Sequence, residues 1–459
     1  MNITQQISEF SAKASVANLP ADVIQRTREL ILDLVGNIVR ARHESDSTPA
    51  LLSSAKALGL TTGTARVFGD PATYGPAGAA LVNSTLAHSL DFDDTHAAGT
   101  LHPGAPVIPA ALAAGEMVKA SGADVLAGIV AGYEVTCRTA LALPAGDHYQ
   151  RGYHPTATCG VFGAAAAAGR IFGLDAAGIS SALGIALSQS AGSLQFLVNG
   201  AWTKRFQVGW SSMAGLSAAI FARDGFKGAS EAIEGKHGFL RAYAPKPNPE
   251  RVVQDLGKVF ELMMTGVKPY PSCRYGHAGI DAVLALRAEH NLKPAEVEGI
   301  TYGLSNSGML LVGAPAEKKA NPQNTVDGQF SGPFVLSVAL ATGEMAWDSY
   351  GLIQDPTIRG LLPKVRCEFD PEIEAEHPTN MSGKITLKAR GQTFTKKVVV
   401  PKGEPSNFFG AEELKGKFMK LAEPSLGVGG AEALADAILK IDDFKDVNDL
   451  MRHARPMTH

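Results

Sequence analysis

At 459 residues, 45% of them hydrophobic, the chain is long enough for two or three domains and a large core. A formal net charge of -3 leaves no electrostatic footprint for nucleic acid or an anionic membrane. The four cysteines, Cys137, Cys159, Cys273 and Cys367, form no CxxC pair or zinc-type spacing, and no apolar run reaches membrane-span length free of charge.

The opening MNITQQISEF lacks a basic n-region and an apolar h-region, so a cytoplasmic location is expected. Residues 2–17 carry Ile3, Ile7 and Phe10 at helical spacing, and Leu19-Pro20 ends that helix. Residues 21–40 repeat the pattern, with Val23, Thr27, Leu30, Ile31, Leu34, Val35 and Ile38 on one face. Residues 48–58 read as a further helix, and TARVFGD (64–70) as a strand or linker. From 75 to 240 the apolar segments are Ala- and Gly-rich, helical in type and separated by turn signals such as Ser121-Gly122. An all-α domain is expected there.

After about residue 265 the character changes. VEGITYGLS (297–305) and VRCEFD (365–370) are strand-like, and KITLKARGQTFTKKVVV (384–400) reads as a hairpin about Arg390-Gly391-Gln392. Helices are expected at 277–290 and 333–344, then at 411–424 and 431–442 in the tail. The resulting expectation is a mainly α protein. Residues 1–265 and 401–459 form a large all-α domain built from both chain ends, and 266–400 form a smaller inserted α+β lid.

The chemistry concentrates in HSLDFDDTHAAGTLHPG (88–104), which holds His88, Asp91, Asp93, Asp94, His96 and His102 between two bland helices. Unpaired buried charge is costly. The stretch is therefore an acid/base site, a divalent-metal site using Asp91, Asp93, His96 and His102, or a solvated loop whose carboxylates cap the next helix. Three other places add groups. His154 precedes Pro155, which biases it to extended geometry at the start of a helix whose N-terminal donors attract anions. Lys204 and Arg205 lie among Trp202, Phe206 and Trp210 and point to different faces; an inward Lys needs a counter-charge. KPYPSCRYGH (268–277) loads Lys268, Arg274 and His277 on to the expected domain junction, a favoured place for small ligands. No spacing supports Cys273 as a nucleophile, and Glu134 and Arg138 form an intrahelical pair. There is no dinucleotide or P-loop fingerprint. Acids, imidazoles and cations of this kind suit a small di- or tricarboxylate, with Lys and Arg holding carboxylates and His moving a proton.

The order DFDDTHAAGTLHPG, GYEVTCR, GYHPTATCGVFGAAAAAGRIFGL, KRFQVGWSS, KPYPSCRYGHAGIDA and VDGQFSGPFVLSVALATG resembles the MmgE/PrpD family, which includes 2-methylcitrate dehydratase, cis-aconitate decarboxylase and iminodisuccinate epimerase. The resemblance implies a helical domain from both chain ends with an α+β lid, a homodimer, and chemistry without metal or organic cofactor. It carries Asp91, Thr95, His102, His154, Lys204 and Lys268 into the site, and His96, Arg274 and His277 are added as substrate-binding candidates. KPYPSCRYGH departs from the K-x-S-F-P-A-E-F-H form of the dehydratase branch and looks more like the epimerase. The expected activity is a lyase, dehydratase- or decarboxylase-like, working by proton transfer α to a carboxylate. An epimerase of an amino- or imino-dicarboxylate, and a carboxylate-binding protein without turnover, are the alternatives.

Overall fold

The computed structural model describes residues 1–456; residues 457–459, the end of the segment assigned to the helical domain, lie outside the described residues. The chain divides into two compact units: residues 1–266 with the chain from Gly410 onward, and Val267–Phe409.

The first unit is helical. Its helices are α1 (Ile3–Lys13), α2 (Ala21–Glu44), α3 (Thr48–Ala57), α4 (Pro76–Ala87), α5 (Gly104–Val118), α6 (Gly122–Leu141), α7 (Ala145–Gln150), α8 (Pro155–Ile171), α9 (Ala176–Leu187), α10 (Thr203–Arg223) and α11 (Phe239–Tyr243). Local signals set the starts: Asn2 and Gln5 make a reciprocal capping box for α1, and the Ser121 and Asp175 side chains cap α6 and α9. Among the described residues, no helix is long and apolar enough to cross a membrane.

Helices α4, α5, α6 and α8 are buried on nearly every face, as expected of central helices apolar all round. Small residues let them touch backbone to backbone. A Cβ on Gly209 of α10 would collide with the Thr85 hydroxyl of α4 and come within 2.7 Å of the Leu81 carbonyl oxygen. Gly163 of α8 meets Thr136 and the Gly132 carbonyl of α6 in the same way. The first of these contacts seats α10 against the end of α4; the second packs α8 on α6, and α8 in turn packs on α10.

The C-terminal tail packs on α2. Its two expected helices run as one assigned segment, Ala411–Leu439, interrupted at Gly427, whose φ of 70° and ψ of 163° lie outside helical space. Glycine accepts that conformation without a Cβ clash. Short strands β1 (Ala65–Arg66) and β2 (Thr73–Tyr74) pair, as do β3 (Thr95–His96) and β4 (Thr265–Gly266). A two-residue ladder carries no periodicity, so β3 is absent from any reading of the sequence.

The second unit holds a four-stranded sheet of β5 (Val297–Leu304), β6 (Val365–Phe369), β7 (Gly383–Ala389) and β8 (Gln392–Val398), in the order β6-β5-β7-β8. β5 and β6 are parallel; β7 pairs antiparallel with β5 and β8. The β7–β8 hairpin turns at Arg390-Gly391, both at positive φ, the backbone that two-residue hairpin loops require. Ile385, Leu387 and Ala389 alternate inward and join a core with Tyr302, with Ile280, Val283 and Leu286 of α12 (His277–His290), and with Phe334 and Leu336 of the helix Gly332–Thr342.

Candidate active site

The site begins where α4 ends. His88 follows the helix, and Asp91 adopts φ 54°, a left-handed conformation that few residues other than glycine and Asn/Asp take up. The chain reverses there, and the Asp93 carboxylate Oδ2 lies 2.6 Å from His88 Nδ1. The loop is not solvated, although one of its carboxylates, Asp94, does cap the next helix at Gly104. His88 is 2% exposed, Asp93 0%, Asp94 2% and His96 0%. Asp94 accepts from the Tyr133 hydroxyl at 2.8 Å and the Gly104 amide at 3.1 Å; burial and the neighbouring Asp93 charge push its pKa well up. The Phe92 carbonyl accepts from Asn37 and Lys417, each at 3.1 Å. Lys417 in turn lies 2.5 Å from Asp33, whose pKa burial lifts to about 6 against the pull of that cation.

Three imidazoles gather at this turn. His88 lies edge-on to His102 with ring centroids 5.0 Å apart and stacks on His154 at 5.7 Å. His102 Nδ1 is 2.6 Å from the Asp94 carbonyl oxygen and 3.7 Å from Asp93 Oδ2. A carbonyl only accepts, so Nδ1 carries the hydrogen and, in the neutral ring, Nε2 holds the lone pair. Thr95 Oγ1 is 3.5 Å from His102 Nδ1, and the Thr156 hydroxyl accepts from the His102 amide. His154 sits at the N-terminal boundary of α8, 2% exposed. Burial, then the positive groups His88, Lys204 and His148, drive its pKa well down.

Lys204, in the first turn of α10, donates to Asp91 Oδ1 at 2.6 Å. Burial opposes its charge, but the Asp91 carboxylate outweighs that and the net shift is upward. Arg205 turns the other way, to Asp46, Ser45 and Ser47.

Asp91, Thr95, His102, His154 and Lys204 are thus linked through one turn. His96 is adjacent, but its Nε2 lies 3.0 Å from Glu261 and its Nδ1 accepts from the Gly99 amide. The remaining candidates belong to the second unit. Lys268 is buried and follows by two positions Gly266, the partner of Thr95 in the β3–β4 ladder. Arg274 pairs with Glu404, and buried His277 reaches the Ser272 carbonyl at 3.2 Å. Glu134 and Arg138 form the expected pair, buried at 2.8 Å.

The donor atoms of His88, Asp93 and His102 all lie within 4.8 Å of one another, a grouping able to approach one metal ion. The set differs from the one expected from spacing, since Asp91 is taken by Lys204 and His96 by Glu261. The residues that sequence reasoning passed over are Asp33, Asn37, Tyr133, Gln207, Glu261 and Lys417. Gln207 carried a usable signal: it lies three positions after Lys204, on the same side of a helix.

Two domain families match the chain in order: the MmgE/PrpD N-terminal domain over residues 5–252 and the MmgE/PrpD C-terminal domain over 270–443. The chain is 27% identical to the cis-aconitate decarboxylase-like protein oryM of Aspergillus oryzae, over 98% of this chain and 96% of that protein. It is 25% identical to the cis-aconitate decarboxylase of Aspergillus terreus, over 98% and 95%, and 27% identical to that of Homo sapiens, over 98% and 94%. The match of both domains across most of the sequence establishes that the chain belongs to the MmgE/PrpD family.

Proposed function

We propose that the chain is a cofactor-independent lyase that acts on a small di- or tricarboxylic acid by proton transfer at a carbon α to a carboxylate. The observation that carries this reading is the Lys204–Asp91 pair beside three imidazoles arranged around Asp93. The relatives named as cis-aconitate decarboxylases support the same class.

Such reactions pass through a carbanion whose charge spreads on to the neighbouring carboxylate. A cation fixed at that carboxylate stabilises the transition state more than the ground state. Lys204 supplies it: an ammonium has three donors, and Asp91 both holds it in place and keeps it charged. His102, with its lone pair at Nε2, takes or returns the proton at carbon, and Thr95 hydrogen-bonds the substrate. Lys268 is assigned the second cation on the strength of the resemblance, with His96, Arg274 and His277 as further binding candidates. The α+β segment acting as a lid, a homodimeric assembly and a cytoplasmic location belong to the same proposal.

The test is proton NMR in D2O with citrate, 2-methylcitrate, cis-aconitate and iminodisuccinate supplied separately. A new olefin or loss of a carboxylate supports the lyase. Deuterium wash-in with an intact skeleton replaces it with an epimerase, and binding without exchange replaces it with a carboxylate-binding protein. Slower proteolysis near residues 266 and 410 at saturating dicarboxylate supports the lid; unchanged cleavage removes it.

A further inference from the structure

His154 has a neighbour outside the sequence-derived site. The side-chain nitrogen of Gln207 lies 2.7 Å from His154 Nδ1. An amide can be turned over, exchanging its oxygen and nitrogen, so the direction of this bond needs an independent anchor. Ser193 provides one. Its backbone N–H, which can only donate, lies 2.9 Å from Gln207 Oε1. Its carbonyl oxygen, which can only accept, lies 3.2 Å from Gln207 Nε2. Both edges of the amide are thereby read by one backbone residue, and the orientation is fixed. Gln207 Nε2 therefore donates to His154, and His154 Nδ1 must hold a lone pair. The hydrogen of the neutral ring is on Nε2.

His102 is held the opposite way, with its hydrogen on Nδ1 facing the Asp94 carbonyl. The two rings on either side of His88 thus differ in kind. His102 offers a lone pair at Nε2, and His154 offers an N–H there. His154 also stands at the N-terminus of the 17-residue α8, whose dipole disfavours a positive ring. A neutral imidazole loses its remaining hydrogen only with great difficulty, but it is a good hydrogen-bond donor to a developing negative oxygen. A neutral histidine whose positive form is suppressed by a helix N-terminus is known to polarise a carbonyl in this manner.

We infer that Gln207 is a positioning residue that holds His154 as the neutral Nε2–H tautomer, so that His154 polarises the substrate carboxylate while His102 alone carries the proton. This rests on the proposed lyase reading and deepens it. In the deprotonation direction, the substrate C–H bond breaks and an N–H bond forms at His102 Nε2. The electron pair stays on the substrate and spreads on to the carboxylate, to which His154 donates without losing its hydrogen. The groups facing His154 are His88 of the turn, His148 of α7, Lys204 and Gln207 of α10, and the edge of the Phe196 ring. None of them is a carboxylate that would favour the charged ring.

The experiment is 15N NMR of histidine-labelled protein without substrate from pH 5 to 8, with His154 assigned through His154→Asn. The expected spectrum has His154 Nδ1 in the unprotonated range and Nε2 in the protonated range, unchanged across the series. Gln207→Glu replaces the donor with an acceptor. It should move the hydrogen to Nδ1 and raise the titration midpoint by about one to three units. Gln207→Leu should leave an average of the two tautomers; it serves as the test if the Glu variant does not fold. A protonated Nδ1 in the unaltered protein, or the same tautomer in both variants, overturns the inference. Because no substrate is present, this result stands apart from the lyase assay: absence of turnover with every acid counts against the proposed activity, not against the tautomer.

Discussion

Lys204 places its ammonium 2.6 Å from the Asp91 carboxylate, 113 positions earlier in the chain. Asp91 is at positive φ and Lys204 is in the opening turn of α10, so the pair joins a tight turn to a helix N-terminus. Replacing Lys204 with Ala removes the cation proposed to meet the developing charge. The expected loss in kcat/KM is about 100- to 1,000-fold. Asp91→Asn should act through pH instead. Burial already pushes the ammonium to lose its proton and Asp91 holds it on, so without that carboxylate the pKa falls. The basic limb of the pH–rate profile should then move to lower pH. A profile unchanged in Asp91→Asn would separate the pair from catalysis.

The Asp94 carbonyl oxygen, 2.6 Å from His102 Nδ1, directs the lone pair of the neutral ring to Nε2. His102→Asn should lower kcat by about 100- to 10,000-fold, the usual range for a general acid or base, with KM changed only a few-fold. Deuterium exchange at the substrate carbon should fall with kcat. Turnover and exchange at the wild-type rate would remove His102 from the proton path.

How much of this was legible beforehand depended on whether a property is local. The longer helices of the first unit, the hairpin at Arg390-Gly391 and the dense stretch from His88 to Gly104 follow from nearest-neighbour patterns, whereas α7 carried no such signal and the two expected tail helices run as one segment. That Lys204 and Arg205 point to different faces followed from helical geometry; which of them meets Asp91 did not. The support beneath the turn did not. Asn37 and Lys417 converge on the Phe92 carbonyl from 55 and 325 positions away, Asp33 holds Lys417, and nothing in the sequence pairs them. His96 looks equivalent to His102 in composition, yet Glu261 engages it through a contact 165 positions long. Gln207 was overlooked because an amide carries no charge, although its importance lies in the direction of a single hydrogen bond.

The His88–Asp93–His102 grouping sets up a test with metal. The 2.6 Å between His88 Nδ1 and Asp93 Oδ2 is a hydrogen-bond separation. Ligands about 2.0–2.1 Å from a tetrahedral zinc ion lie roughly 3.3 Å apart, so binding one requires the shared proton to leave and the groups to separate. Exhaustive dialysis against a chelator should leave activity intact, and elemental analysis should find metal well below one ion per chain. Activity that disappears on chelation and returns with a single divalent ion would reverse the cofactor-independent reading.

The contact between α4 and α10 gives a prediction about packing. Substituting Ala for Gly raises helix propensity by about 1 kcal/mol in an unobstructed helix. At Gly209 the new methyl group would meet Thr85 and the Leu81 backbone, neither of which can yield cheaply. Gly209→Ala should therefore destabilise by about 1–3 kcal/mol. Because α10 carries Lys204 and Gln207, activity should fall even at temperatures where the variant is fully folded. A variant as stable and active as the parent would show that α10 can shift without disturbing the site.

Stability should also depend on pH through Glu116, at the far end of α5. Its carboxylate accepts the Arg66 amide at 3.1 Å and lies 3.6 Å from the Arg66 guanidinium. Burial nevertheless raises its pKa from 4.5 to about 7, with Arg66 pulling the other way. A carboxyl whose folded-state pKa lies above its unfolded value holds its proton more tightly when folded. Its contribution is therefore complete below about pH 4.5 and is lost as pH rises through about 7. A separation of this size corresponds to about 3 kcal/mol in total. Glu116→Gln keeps the shape and stays uncharged, so it should match the parent near pH 5 and become the more stable of the two by pH 8. Urea unfolding of both proteins at intervals between these values measures the difference. A gap that stays constant with pH would mean that Glu116 is already ionised in the folded chain and that Arg66, not burial, governs it.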